Sequence, residues 1–265
     1  MSEVLPNTLT LSICQFPIAF LDWDSNEKQA ISYIKSAKNS HSDLIIFPEM
    51  TLTGIAGEIE PMADTDNRNI RFFTKLAMEH SIAIGFGWGK PAGEKLENHY
   101  TVIGPDGTIL SDYVKIHPFT YGGEDKCFVS GNEIHTFEYR GFQICTLICY
   151  DMRFPELFQA ASKSADLITL CANWPERRNE HWKILSQARA IENQVYFAAC
   201  NCVGEINRLK YSGDSSLYHP DGKILGRLSH TDGLITCTIT NDVASVRKAF
   251  PVKQDRHIDL YKSIL

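Results

Sequence analysis

Three ionisable residues in this chain stand directly after apolar, strand-like runs. Asp43-Leu44-Ile45-Ile46-Phe47-Pro48-Glu49 ends in a carboxylate, Tyr113-Val114-Lys115-Ile116-His117 carries a lysine, and Phe142-Gln143-Ile144-Cys145-Thr146-Leu147-Ile148-Cys149 ends in a thiol. A charged group straight after a buried strand needs a partner, because an unpaired buried charge is costly. Gathering the three at one sheet edge lets the lysine and the glutamate offset each other. The same grouping suits nucleophilic catalysis at a carbonyl. A thiolate is the nucleophile, yet a free cysteine is largely protonated at neutral pH. A carboxylate beside it serves as general base, and a nearby ammonium favours the anion. The lysine, together with the backbone N–H of Tyr150, then donates to the oxygen that becomes negative on attack.

Seven other cysteines are present: Cys14, Cys127, Cys145, Cys171, Cys200, Cys202 and Cys237. Most sit inside apolar runs, where a free cysteine behaves as a small hydrophobe. The pairs Cys145/Cys149 and Cys200/Cys202 lack zinc-site spacing, so no metal is expected. The first fifteen residues carry neither a basic leader nor a cleavable apolar segment, and a cytoplasmic setting without disulfides follows as the expectation.

Composition narrows the class further. A chain of 265 residues with 43% hydrophobic and 22% charged residues has the means for a sizeable globular core. A net charge of −6, with Arg177-Arg178 the densest basic pair, argues against a nucleic-acid partner. Apolar runs such as Val195 to Cys200 fall far short of the roughly 20 residues of a membrane helix.

The elements that must position the three groups can be read in order. Leu9 to Gln15 is strand-like, and Asp24-Ser25-Asn26-Glu27 offers a capping box for a helix carrying Ala30, Ile31, Ile34 and Ala37. Asp43 to Phe47 reads as a strand covered on both faces, Asn69 to His80 as a helix, and Ile82 to Trp88 as the next strand. Hairpins then turn at Pro105-Asp106-Gly107, at Arg140-Gly141 and at Pro220-Asp221-Gly222, the second delivering Cys149. Between the last two come a helix (Pro155 to Ser164), a strand (Asp166 to Cys171), a helix (Asn179 to Asn193) and a strand (Val195 to Cys202). The segments Pro105 to Leu110 and Pro220 to Leu225 match at five of six positions, as one hairpin in each half of a pseudo-symmetric fold would. Hairpins interleaved with βα units predict an α/β fold, a four-layer α-β-β-α sandwich with mixed sheets and strands buried on both faces. With no linker between the halves, residues 1–265 are expected to form one domain.

Taken together, Phe47-Pro48-Glu49-Met50, Tyr113-Val114-Lys115-Ile116-His117-Pro118-Phe119 and Cys149-Tyr150-Asp151-Met152-Arg153-Phe154-Pro155-Glu156 resemble the carbon–nitrogen hydrolase (nitrilase) superfamily. Ala188-Arg189-Ala190-Ile191-Glu192-Asn193-Gln194 and Gly213-Asp214-Ser215-Ser216 extend the resemblance, which runs from about residue 9 to residue 250. It implies the same sandwich and a Glu-Lys-Cys triad, with Glu49 as base and then acid, Lys115 stabilising the tetrahedral intermediate and Cys149 forming a thioester. It also implies a second glutamate supporting the lysine; Glu124 matches by position, with Asp125 as its competitor. Tyr150-Asp151-Met152-Arg153, Asn173-Trp174-Pro175 and His181-Trp182 are similar to the omega-amidase branch, which acts on 2-oxo dicarboxylic acid monoamides. Such a substrate calls for a cation beyond Lys115, for which Arg153, Arg177 and Arg178 are candidates. Trp174, at the end of a strand on the same edge, is placed to wall the pocket. The resemblance therefore implies a cofactor-independent amidohydrolase with a small amide as its partner, in a homodimer. A nitrilase, or an acyltransferase that resolves the thioester with an amine, are the alternatives on this fold.

Overall fold

The computed structural model describes residues 7–264. The leader reading rests partly on residues 1–6, which lie outside the described residues. Two mixed sheets pack face to face. The first half of the chain supplies β1 (Thr8–Gln15), α1 (Trp23–Asn39), β2 (Leu44–Ile46), α2 (Arg68–His80), β3 (Ala83–Ala92), β4 (Lys95–Ile103) and β5 (Ile109–Val114). A short α3 (Glu124–Cys127) and β6 (Phe128–Val129) lead into β7 (Thr136–Tyr139) and β8 (Phe142–Ile148). The second half continues with α4 (Pro155–Ala161), β9 (Leu167–Ala172), α5 (Asn179–Asn193), β10 (Tyr196–Asn201), β11 (Val203–Ile206), β12 (Leu209–Tyr218) and β13 (Ile224–Ser229). The last elements are β14 (Gly233–Thr240), α6 (Val243–Ala249) and α7 (Ile258–Ile264).

One sheet runs β14-β1-β2-β3-β4-β5, the other β11-β12-β10-β9-β8-β7, with β6 and β13 as side branches on β4 and β12. In both, three parallel strands (β1-β2-β3 and β8-β9-β10) are followed by an antiparallel partner, β4 or β12. The two Pro-Asp-Gly turns occupy equivalent places, between β4 and β5 and between β12 and β13. They close alike. Asp106 Oδ1 accepts from Thr108 N at 3.0 Å, and Asp221 Oδ1 from Lys223 N at 2.9 Å. Gly107 and Gly222 take φ of +85° and +88°, a region that favours glycine. The repeated segments are thus the same turn in two half-folds, as the pseudo-symmetric reading required.

Why the sheets face each other follows from their side chains. Leu11, Ile13, Ile46 and Tyr100 of the first sheet share one buried cluster with Leu147, Leu170, Ala198 and Leu217 of the second. Outside the first sheet lie α1 and α2, where Phe73 stacks on Phe86 of β3 at 4.1 Å. Outside the second, Phe158 of α4 meets Phe197 of β10 edge-on at 5.8 Å. The four-layer α-β-β-α arrangement is therefore present.

Several local expectations need correction. The cap of α1 is Asp22, which accepts from Ser25 N at 3.0 Å, so Asp24 falls in the first turn and Asn26 turns inward to Ala19 and Leu52. β3 continues beyond Trp88 to a hairpin with β4, while β11 and β14 carry no sequence-based assignment at all. Burial on both faces holds for β2, β9 and β10, whereas β13 and β14 are edge strands with exposed positions. Among the described residues, no helix is long and apolar enough to cross a membrane.

Candidate active site

β2 ends at Ile46, and the chain passes through Phe47 and Pro48 into a tight turn. Thr51 N donates to Gly87 O at 2.8 Å and Thr51 Oγ1 to Pro48 O at 2.7 Å, which fixes Glu49 between them. Gly87 on β3 permits this approach: a Cβ there would stand 2.6 Å from Met50 N and 2.8 Å from Glu49 Cα. Lys115 follows β5, its N–H bound to Asn98 O of β4 at 2.9 Å. Glu124 opens α3. Cys149 follows β8 and adopts φ +44°, a left-handed conformation that a β-carbon-bearing residue seldom takes without surrounding constraint.

These four residues converge, and all four are buried. Lys115 Nζ donates to Glu49 Oε1 at 2.9 Å and to Glu124 Oε2 at 2.7 Å. Glu49 Oε1 also accepts from Asn98 Nδ2 at 2.8 Å, and Oε2 from Asn173 N at 2.9 Å. Glu124 Oε2 takes a second bond from Phe119 N at 2.9 Å. Asp125, the competitor for this place, is exposed, and its carbonyl rather than its carboxylate holds Lys95.

Burial disfavours the Lys115 ammonium, but Glu124 and Glu49 outweigh it, and the net shift of its pKa is upward. Burial pushes the Cys149 thiol up as well, and Glu49 adds to that push while Lys115 opposes it. Lys115 thus favours the thiolate, as expected, but burial and the two carboxylates outweigh it. The net effect favours the neutral thiol over the thiolate.

Two further groups, Asp151 and Arg189, hold the Cys149 turn, and a third, Asn201, holds the neighbouring Trp174 segment. Asp151 is fully buried and accepts from Ile148 N (3.0 Å), Tyr113 Oη (2.8 Å), His117 N (3.1 Å) and His117 Nδ1 (2.8 Å). It thereby ties the segment after Lys115 to the strand that ends in Cys149. Arg189 of α5 donates from Nε and Nη2 to Met152 O at 3.0 and 2.7 Å. Asn201 accepts from Trp174 N at 2.8 Å and returns Nδ2 to Trp174 O at 3.1 Å.

Above the thiol lies a cavity of about 310 Å³, lined by Cys149, Glu124, Tyr150, Arg153, Trp174 and Arg178 among others. Glu49 and Lys115 stand behind this lining. Ile55, Ala56 and Gly57 contribute from the segment between β2 and α2; Asn207, Leu209 and Tyr211 come from the β11–β12 hairpin, which the sequence did not reveal. Trp174 is buried, its Nε1 donating to Arg178 O at 2.9 Å, and the Arg153 guanidinium lies 4.7 Å over its ring. The Tyr150 ring packs on Phe119 at 4.8 Å and on Phe154 at 5.3 Å. A larger cavity of about 800 Å³, bordered by Lys163, Arg247, Lys253 and Lys262, holds none of these groups and is remote from the chemistry. Among the described residues, no cluster of three or more His, Cys, Asp or Glu forms a metal-binding group.

Known proteins resemble this chain in sequence and in fold. The family described as carbon-nitrogen hydrolase matches residues 10–248. A 2-oxoglutaramate amidase of Bacillus subtilis (strain 168) is 34% identical, over 95% of this chain and 99% of that protein. The omega-amidase YafV of Yersinia enterocolitica is 34% identical, over 82% and 84% of the two chains. Among solved structures, a CN-hydrolase superfamily protein of Xanthomonas campestris superposes with a TM-score of 0.88 at 29% identity, covering 94% of this chain and 97% of that one.

Proposed function

The chain belongs to the carbon–nitrogen hydrolase family, and on that footing we propose that it is an omega-amidase. It would hydrolyse the terminal amide of a 2-oxo dicarboxylic acid monoamide such as 2-oxoglutaramate to the acid and ammonia. The observation that carries this reading is the buried Glu49–Lys115–Glu124 ion set beside the Cys149 thiol. In the first half-reaction the thiol proton passes to Glu49 as Sγ bonds to the amide carbon and the carbonyl electron pair moves onto oxygen. Oε2 of Glu49 is the acceptor, because Oε1 already takes bonds from both Lys115 and Asn98. Lys115 Nζ and the backbone N–H of Tyr150 receive the oxyanion. The intermediate collapses with cleavage of C–N, the nitrogen takes the proton from Glu49, and ammonia leaves a thioester. Water then gives a proton to Glu49 as it attacks the thioester, and the departing sulfur recovers that proton. Every step uses protein groups and water alone.

Tyr150, Arg153 and Trp174 line the substrate's side of the cavity in this reading. The whole of residues 1–265 acts as one domain, supported by the interior cluster that both sheets share. A homodimer is supported by Ile184 and Ile191, one heptad apart on α5 and 63% and 49% exposed. A reducing, cytoplasmic setting is supported by eight cysteines that are all free.

The deciding experiment measures ammonia release over 2-oxoglutaramate, glutamine, aliphatic amides and the matching nitriles, with hydroxylamine added in parallel. We expect 2-oxoglutaramate to be preferred, free acid to dominate without hydroxylamine, and Cys149→Ala to lose at least about 10³-fold in rate. Ammonia release that survives in Cys149→Ala would remove the triad assignment, and a preference for nitriles would replace the activity.

A further inference from the structure

The reacting groups carry one net negative charge, since Lys115 is matched by both Glu49 and Glu124. An anionic substrate approaching Cys149 meets that charge, whereas a neutral amide does not. Three arginines surround the cavity and change the balance: Arg153, Arg177 and Arg178. Elsewhere in the fold, Arg68, Arg71, Arg140 and Arg189 each pair with a carboxylate, and Arg227 and Arg247 are satisfied by hydroxyls or carbonyls. Among the described residues, none of the three cavity arginines pairs with a carboxylate. Unpaired guanidinium groups held together in this way form a receptor for an anion, and the planar fork of arginine suits a carboxylate in particular.

The three are not equivalent. Arg177 is exposed, so water already solvates its charge. Arg153 is engaged, stacked over Trp174 and 3.2 Å from His181 Nδ1 through Nη2. Arg178 differs from both. Its backbone is fixed at either end, N donating to Pro175 O at 3.0 Å and O accepting from Trp174 Nε1 at 2.9 Å. Its guanidinium lies 4.9 Å over the Phe119 ring, and among the described residues it has no hydrogen-bond acceptor. Phe119 is itself fixed to the catalytic set through its N–H on Glu124. Burial pulls the Arg178 pKa down, the like charges of Arg177 and Arg153 add to this, and Cys149 pulls the other way. A partly desolvated cation without a counter-charge is a cost that an anionic ligand removes. Tyr211 lines the same cavity, and burial keeps its hydroxyl in the neutral, donating form.

We propose that Arg178 is the specificity-determining residue that receives the substrate carboxylate remote from the scissile amide, while Arg153 braces the Trp174 wall. This rests on the proposed amide hydrolysis at Cys149 and adds to it the reason for preferring a dicarboxylic monoamide. The guanidinium acts at the far end of the substrate from the bond that breaks, so it governs which amide is accepted rather than how it is cleaved.

The test compares succinamate with butyramide, amides of equal length that differ in a terminal carboxylate. For wild type, Arg178→Met, Arg178→Lys and Arg153→Met, kcat/KM is measured by ammonia release. Loss of a partly desolvated charge partner predicts that Arg178→Met lowers the succinamate-to-butyramide ratio by about 100-fold. Arg178→Lys should recover part of the ratio, and Arg153→Met should change it by less than about threefold, by the same argument. Butyramide turnover shows in each case that the variant is folded. Equal loss on both substrates in Arg178→Met, or selective loss of succinamate in Arg153→Met, overturns the assignment of Arg178. So does a wild-type enzyme that cleaves butyramide but shows no preference for the charged amide, which leaves amide hydrolysis itself intact. A wild type that cleaves neither amide overturns both readings.

Discussion

Replacing Asp151 by asparagine tests whether the site is held as the structure describes. Its two oxygens divide four donors between them: Oδ1 takes His117 N and Nδ1, and Oδ2 takes Tyr113 Oη and Ile148 N. An asparagine must turn its NH₂ to one side or the other. On either side it meets a backbone N–H, which can only donate, so one buried donor faces another. The remaining bonds lose the charge of their acceptor. Hydrogen bonds to charged groups contribute about 1.5–3 kcal/mol each, and an orphaned buried donor costs about 1–3 kcal/mol. Asp151→Asn should therefore destabilise the fold by about 4 kcal/mol, or roughly 8–16 °C in the unfolding midpoint of a chain this size. Activity should fall further than folding alone requires. Ile148 directly precedes Cys149, and displacement of a reacting group by about 1 Å costs on the order of 10²-fold. Thermal unfolding followed by circular dichroism, with ammonia release measured well below the midpoint, reads both effects. A variant that melts within 2 °C of wild type and keeps its kcat/KM would refute the role given to Asp151.

Glu124→Gln keeps an oxygen where Lys115 Nζ and Phe119 N converge but removes its charge, so kcat should fall about 10–100-fold. Asp125→Asn, at an exposed carboxylate, should stay within about twofold on the same argument; equal effects in the two variants would reverse the choice between them. Lys253 offers a pH prediction away from the site. Its ammonium bonds Ser162 O at 2.6 Å and Ser162 Oγ at 2.7 Å, and burial beside Arg247 and Arg256 depresses its pKa to about 7 from 10.5. Between those values the unfolded chain holds the extra proton, so this group makes stability rise with pH from about 7 to 10. Half-exposure and screening reduce the effect to about 1 kcal/mol. Urea midpoints at pH 6.5 and 9.5 should show a smaller rise in Lys253→Gln than in wild type, and parallel rises would remove the linkage.

What the sequence reveals and hides has a physical pattern. Glu49, Lys115 and Cys149 are legible because each breaks an apolar run at a strand end, where a polar side chain needs a partner. The repeated Pro-Asp-Gly turns are legible because backbone geometry demands those residue types. Asn98 is not, since an uncharged amide within a strand reads as one polar position among many until Glu49 is seen beside it. Asp151 and Asn173 hide for a related reason: they look like turn residues, and their bonds run to segments 34 and 124 positions away. β11 is short and carries a glycine and a glutamate, while β14 returns from the chain's far end to pair with β1. Its place in the sheet follows from long-range pairing. The choice among three arginines likewise depends on which unpaired guanidinium the fold partly buries.

In the proposed reaction, the second carboxylate has a reason that the proton sequence makes clear. An ammonium offers three donors. Two of those of Lys115 point at Glu49 and Glu124, which leaves one for the oxygen that becomes negative. When the thiol proton moves to Glu49, that residue's negative charge is gone, and a lysine paired with Glu49 alone would have the new oxyanion as its only counter-charge. Glu124 keeps it paired throughout. The oxyanion adds a further negative charge as Glu49 is neutralised, so the charge around Nζ stays constant between ground state and intermediate. A site whose charge does not change needs no reorganisation as the bond forms, and that is the condition under which fixed donors stabilise a transition state most. The raised Cys149 pKa belongs to the same arrangement, because a resting thiolate would add a third negative charge around one lysine. The burial that holds the sulfur neutral thus ties its ionisation to the arrival of a carbonyl.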